Sequence, residues 1–353
     1  MTRLPFRVLT LAAATVALST GAVASDATTP ASTPLNDDAE VVIVTAVRPN
    51  IWMLTVAGKN LVLETGDDGS VLVDTGPPGS SAAVLRTIGK TTTAPLRYII
   101  NTSADRDVVG NNGEVSASGH MLGGPVGPSG AQSAAADTGA PLIAHKNVLD
   151  RMISSPPEGQ PYAGAALPAG AFDTLQTDLY LNGQSINVIR QPAAHSDADS
   201  IVQFQRDDVV VAGAVFDMTC FPLIDLAAGG SIDGEIAAIN RLMDRYVTAV
   251  TPFPSRLGEQ NGTIVVPARG RLSDQSDLAQ YRDMLTIVRD RIAYYMKLGK
   301  SKQQVVALKP AAGYEPRFGV SGGSWTTDRF VEAVYQSLKN SKDKGGSTAS
   351  AAQ

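Results

Sequence analysis

Asn101-Thr102-Ser103-Ala104-Asp105-Arg106-Asp107-Val108-Val109-Gly110-Asn111-Asn112 is the stretch that decides how this chain reads. The apolar run Leu96-Arg97-Tyr98-Ile99-Ile100 leads straight into it and reads as a buried strand. That strand delivers two carboxylates, Asp105 and Asp107, and the cation Arg106 to a sheet end. No histidine lies in the stretch, and the chain has 3 in all.

Upstream, VVIVTAV (41–47), IWMLTV (51–56), NLVLET (60–65) and SVLVDT (70–75) are short β-branched runs punctuated by Gly58, Gly66 and Gly69, the pattern of a β-meander. Ser80 to Ile88 reads as a short amphipathic helix. Downstream, residues 111–140 are rich in Gly, Ser and Ala and read as a lid or a disordered insert. Strands are predicted at 179–181 and 186–190 around the tight turn Asn182-Gly183, then at 200–205, 209–212 and 263–266. Ser231 is placed to cap a helix running to about Tyr246. Leu278, Tyr281, Leu285, Val288, Ile292 and Tyr295 build one apolar stripe along a helix over 277–298, with Gly299 as its stop. A last helix spans Asp328–Leu338. Strands and helices in this order predict two facing sheets with helices outside; the pattern alone also allows two separate α/β domains.

The chain has 353 residues, 43% hydrophobic and 18% charged, enough for one large domain. A net charge of -5 argues against a nucleic-acid partner, which would need a basic face. Arg3, Arg7, the apolar run Val8–Leu18 and the small-residue site Ala22-Val23-Ala24 predict a signal peptide over 1–24, cleaved after Ala24. The expected location is periplasmic or secreted, with no membrane anchor after cleavage. Residues 25–40 read as a disordered leader, 41–339 as the folded domain, and 340–353 as a disordered tail. Cys220 is the lone cysteine, so no internal disulfide can form, and it reads as buried and inert.

Five segments in order resemble the metallo-β-lactamase superfamily: Val73-Asp74-Thr75-Gly76; the 101–112 stretch; His195-Ser196-Asp197-Ala198-Asp199-Ser200; Val211-Ala212-Gly213-Ala214-Val215-Phe216; and Val266-Pro267-Ala268-Arg269-Gly270. The resemblance covers roughly residues 43–339. It implies an αββα sandwich, an α/β (α+β) fold of two mixed β-sheets with outer helices. It also implies a cleft at the sheet ends, walled by Ser103, Asp105, Asp107, Val108, His195, Ala214 and Arg269.

In that family these positions hold two zinc ions, and here most ligands are replaced. The first site would fall to Ser103, Asp105 and His195, the second to Asp107, Val108 and Arg269, with Ala214 at the bridging position. A catalytic zinc takes three protein ligands and an open position, and neither set supplies three good donors. The expectation is therefore no cofactor and a non-catalytic protein that binds a small molecule or a periplasmic protein in the old cleft. Arg269 is expected to bond Asp107, Asp105 or both, with Arg106 as a second partner, or else to face solvent. The alternative is a hydrolase with one Zn, Fe or Mn ion on Asp105, Asp107 and His195. A third possibility uses the 111–140 insert as a docking loop.

His195 and Asp107 are the candidate catalytic groups. A serine mechanism at Ser103 would need His195 and Asp105 as its relay. Asp74 and Asp199 read as braces and His145 as packing. His120 could swing from the insert into the cleft.

Overall fold

A computed structural model describes residues 41–121, 139–156, 159–246, 262–320 and 323–350, with side chains as far as 343. The signal peptide and leader expected over 1–40, and residues 122–138 of the insert, lie outside the described residues.

The first sheet runs β1 (Val42–Arg48), β2 (Ile51–Val56), β3 (Lys59–Gly66), β4 (Gly69–Val73), β5 (Leu96–Ile100), β6 (Leu142–His145) and β7 (Gly170–Phe172), side by side in chain order. β1 to β4 are antiparallel because tight turns join them; Ala57 and Gly58, at φ 47° and 77°, make the turn into β3. From β4 onward the pairing is parallel, and α1 (Ser81–Thr91) makes the crossover that a parallel pair needs. The second sheet has the order β12 (Ile264–Pro267), β11 (Val209–Gly213), β10 (Ser200–Phe204), β9 (Gln184–Arg190), β8 (Gln176–Leu181). It is antiparallel except for β11 with β12. Both sheets are mixed.

Alternation along the strands makes the layers. Val62, Val71, Val73 and Ile100 face Val188, Val202, Val209, Val211 and Val266 across the gap between sheets. Leu61, Leu63, Leu72 and Ile99 point the other way, onto Val84 and Ile88 of α1 and Val115 of α3 (Asn112–Ala117). Ile189, Val210, Ala212 and Val265 face α5 (Ile232–Asp244), α6 (Gln275–Lys297) and α9 (Thr327–Ser350). Each fully buried Val or Leu contributes about 1.5–3 kcal/mol. The helices start where their caps put them. Ser231 Oγ accepts from Gly234 N at 3.0 Å, and Asp274 Oδ1 accepts from Asp277 N at 3.0 Å.

Two expected boundaries move. The insert read as 111–140 does not start at 111: α3 is helical and Val115 is fully buried, with the Ser116 carbonyl accepting from Ala140 N. Composition marked this segment as loop, yet one buried valine and a run of amide contacts hold it. The tail read as disordered from 340 is helical in backbone to Ser350. Phe330, Val331 and Val334 anchor the start of α9, and propagation past an anchored turn is nearly neutral in free energy. Helices α2 (Arg106–Val109), α4 (Lys146–Ser154), α7 (Lys302–Ala307) and α8 (Glu315–Phe318) are too short to show a period in the sequence. Among the described residues no helix is long and apolar enough to cross a membrane.

Candidate functional site

The cleft is built on a brace that contains no cleft residue. Asp74 follows β4 at φ 65°, a left-handed conformation that Asp tolerates better than most residues. Its carboxylate accepts from Thr102 N and Thr102 Oγ1, both at 2.8 Å. Asn101 and Asn112 exchange amide hydrogen bonds at 2.9 and 3.1 Å, and Asn111 Nδ2 donates to the Thr75 carbonyl at 2.7 Å. These contacts clamp the 101–112 loop to the end of β4. Gly213, at φ 55°, lets β11 approach the same point: a Cβ there would lie 2.8 Å from the Thr102 side chain. Burial raises Asp74 to about 6, against the pull of Lys59 and the Thr102 bonds. Asp199, held by Ser196 N at 2.6 Å and Ser196 Oγ at 2.9 Å, is raised to about 6 by its own burial.

Above the brace, ion pairs line a cavity of about 340 Å³. The Arg269 guanidinium pairs with Asp107 through Nη2 and with Asp217 through Nη1 at 3.1 Å. Asp217 also accepts from Thr219 N at 2.7 Å and Thr219 Oγ1 at 2.6 Å. Lys59 Nζ lies 3.7 Å from the other oxygen of Asp107. Asn60 sets this geometry: its Nδ2 donates to the Pro267 carbonyl at 3.0 Å and the Gly270 carbonyl at 2.9 Å, clipping the Arg269 loop to β3. His195 Nδ1 donates to the Leu223 carbonyl at 2.8 Å, which turns Nε2 toward Asp105, 3.1 Å from Oδ2. Burial alone would lower the His195 pKa; the Asp105 carboxylate outweighs it and raises the imidazole to about 10. Burial likewise pushes Asp105 up, and the His195 charge overcomes it, holding the acid well below its ordinary range.

Of the seven expected wall residues, Asp105, Asp107, His195, Ala214 and Arg269 line the cavity, together with Arg106. Ser103 and Val108 do not: both are fully buried beneath it. In the short turn of α2, Val108 points into an apolar cluster with Ala144 and Val148 while Asp107 points out. Ser103 Oγ accepts from Asp105 N at 3.2 Å, and His195 faces Asp105, so no serine–histidine pair forms. Arg269 reaches Asp107 but pairs with Asp217 where Asp105 was the other expected partner.

His145 caps α4, its Nδ1 accepting from Asn147 N at 3.1 Å, and packs edge-on against Phe172. His120 N donates to the Leu96 carbonyl at 2.9 Å, at the start of β5, the opposite end of that strand from the cleft. Cys220 is half-buried in the cavity wall; burial, then Asp217, pushes its thiol up to about 12, so it is protonated at neutral pH.

Sequence reasoning missed Lys59 and Asp217. Lys59 had a signal: strand parity places it with Leu61 and Leu63, on a buried face, where a charge needs a partner. Asp217 had none, since it pairs across 52 residues from an irregular segment.

The residues present do not fit a dinuclear metal centre. Ala214 has no donor atom, a guanidinium has no lone pair to give, and Val108 faces the core. Among the described residues no three His, Cys, Asp or Glu side chains stand close enough to hold a metal ion.

Solved structures share the architecture. A metallo-β-lactamase from Pontibacter korlensis superposes with a TM-score of 0.50 at 18% identity, over 70% of this chain and 99% of that one. The stereoselective inverting sec-alkylsulfatase Pisa1 from Pseudomonas sp. gives 0.58 at 13% identity, over 84% of this chain and 50% of that one. No protein-family profile and no curated protein matches by sequence. At these identities the likeness establishes the fold alone: this chain has the metallo-β-lactamase fold, an αββα sandwich.

Proposed function

We propose that this protein is a metal-independent, non-catalytic bearer of the metallo-β-lactamase fold, whose cleft binds a small molecule. One observation carries the reading: Arg269 lies between Asp107 and Asp217 and neutralises carboxylates that would otherwise be available to a cation. A fixed guanidinium supplies two forked donors and permanent charge, so the acids are satisfied without an ion. It cannot acidify a water, so the metal-hydroxide nucleophile of the fold's hydrolases has no equivalent here. The mononuclear alternative is weaker because His195 and Asp105 engage each other and Asp107 is shared by Arg269 and Lys59. The signal peptide read in residues 1–24 would place this binding role in the periplasm or outside the cell.

Zinc titration of the untagged, chelator-dialysed chain tests the proposal. Wild type should show no uptake at micromolar zinc. A variant carrying Ser103→His, Asp105→His, Val108→His, Ala214→Asp and Arg269→His should gain it. Tight stoichiometric zinc on wild type, with hydrolytic turnover lost on chelation, would refute the reading.

A further inference from the structure

One corner of the molecule, far along α6, exposes apolar side chains among lysines. Tyr294 and Leu298 stand one helical turn apart near the end of α6 and are 58% and 56% exposed. The chain then turns back through α7. Arg291 Nη1 donates to the Pro310 carbonyl at 2.9 Å, which brings the end of α7 and Leu308, 47% exposed, alongside α6. An apolar patch rimmed by charge marks a contact surface. Lys297 and Lys300 flank Leu298, exposed and without an ion pair among the described residues. Lys302 lies 3.6 Å from Glu332. On α9, Tyr335 Oη donates to the Lys300 carbonyl at 3.2 Å, and Lys339, one turn further on, is exposed. These four lysines stand against one carboxylate, Glu332, an excess of three positive charges in a chain whose net charge is -5. Neighbouring charges do not cancel it: Lys342 and Asp343 offset each other, Asp290 is held by Arg289, and Lys309 shares a pocket with Glu315 and Asp328.

A lysine in the last turn of a helix complements the helix dipole, which explains Lys297. It does not explain bare tyrosine and leucine side chains beside it. A second copy of the chain would set the same positive excess against itself. An anionic bilayer meets both features. Ammonium groups on flexible stems reach lipid phosphates, while tyrosine and leucine side chains enter the boundary beneath the headgroups. We propose that this corner, formed by the end of α6, α7 and α9, docks the protein on an anionic lipid surface. The contact is peripheral, since among the described residues no helix is long and apolar enough to cross a membrane. Helix α6 starts at Gln275, shortly after the Arg269 loop, and its 23 residues span about 35 Å. The docked end is therefore remote from the cleft, which stays open to solution.

Flotation of the full chain with vesicles of phosphatidylcholine alone, or with about 30% phosphatidylglycerol, tests this at low and high salt. All chains compared carry the same residues 1–24, so differences between them report the corner alone. The unaltered chain should prefer the anionic vesicles roughly tenfold or more, and salt should weaken that preference. Lys297→Gln with Lys300→Gln should lose about twentyfold on anionic vesicles, roughly fivefold for each lysine. Tyr294→Ser with Leu298→Ser should lose about tenfold or more while keeping the salt dependence. All four side chains are exposed, so the circular dichroism spectrum should not change. Should the double lysine variant not fold, Lys300→Gln alone, with a loss of about fivefold, decides. Vesicle binding unaltered by the lysine substitutions, or unaltered by the tyrosine and leucine substitutions, would overturn the proposal. Capture on immobilised polyglutamate as tight as on vesicles would assign the corner to an acidic polypeptide and overturn it. A dimer in sedimentation equilibrium that Tyr294→Ser with Leu298→Ser dissolves would assign it to a second copy, with the same consequence.

Discussion

At the scale of single residues, the chemistry of this cleft is a set of paired charges. Arg269 and His195 are cations facing Asp107, Asp217 and Asp105, and each pair is hydrogen-bonded. The His195–Asp105 pair makes a pH-dependent prediction. The folded chain favours the imidazolium, so this contribution to stability is fully present below about pH 6.5, the unfolded pKa, and is lost as pH rises through about 10. The His195 Cε1 proton should therefore titrate near 10 in an NMR series. In Asp105→Asn burial is opposed only by Asp199 and the Leu223 carbonyl, and the midpoint should fall. An unchanged midpoint in the variant would show that Asp105 does not hold the charge. Arg269 beside Asp107 was legible in the sequence, because a permanent cation stands in one matched segment and unpaired acids in another. Asp217 was not, since nothing in the order of residues says that an irregular turn after β11 folds back onto that guanidinium.

At the scale of elements, legibility followed length and period. Helix α6 was readable because six apolar residues repeat over more than three turns; five are buried and Tyr295 is partly buried. β3 and β4 were readable because their short β-branched runs are punctuated by Gly58, Gly66 and Gly69. Short elements were not: α3 hides in a run of small residues, and its one apolar anchor, Val115, has no periodic partner. The same burial sets a stability contrast along α6. Leu285 is fully enclosed, so Leu285→Ala should cost about 3 kcal/mol, whereas Ile287→Ala, on the partly exposed side, should cost less than about 1 kcal/mol. Urea unfolding of the two variants measures both. Equal costs would mean that α6 does not pack on the second sheet through the Leu285 face.

At the scale of the whole molecule, fold and site draw on different residues. The inter-sheet layer is made of Val, Ile, Leu, Met and Phe, while the brace of Asp74, Thr102, Asn101 and Asn112 shapes the loop without entering the cavity. The architecture was therefore legible from the order of strands and helices and the five matched segments. The occupant of the cleft was not, since Lys59 and Asp217 reach it only through tertiary approach. The account turns on whether organic charge has replaced metal between Asp105, Asp107 and His195. The most direct measurement is anomalous X-ray diffraction, above the zinc edge, from crystals of the wild-type chain grown with excess zinc. It should show the Arg269 guanidinium bridging Asp107 and Asp217 and no anomalous peak in the cleft. A peak within coordination distance of Asp107 and His195, with Arg269 swung away, would contradict it.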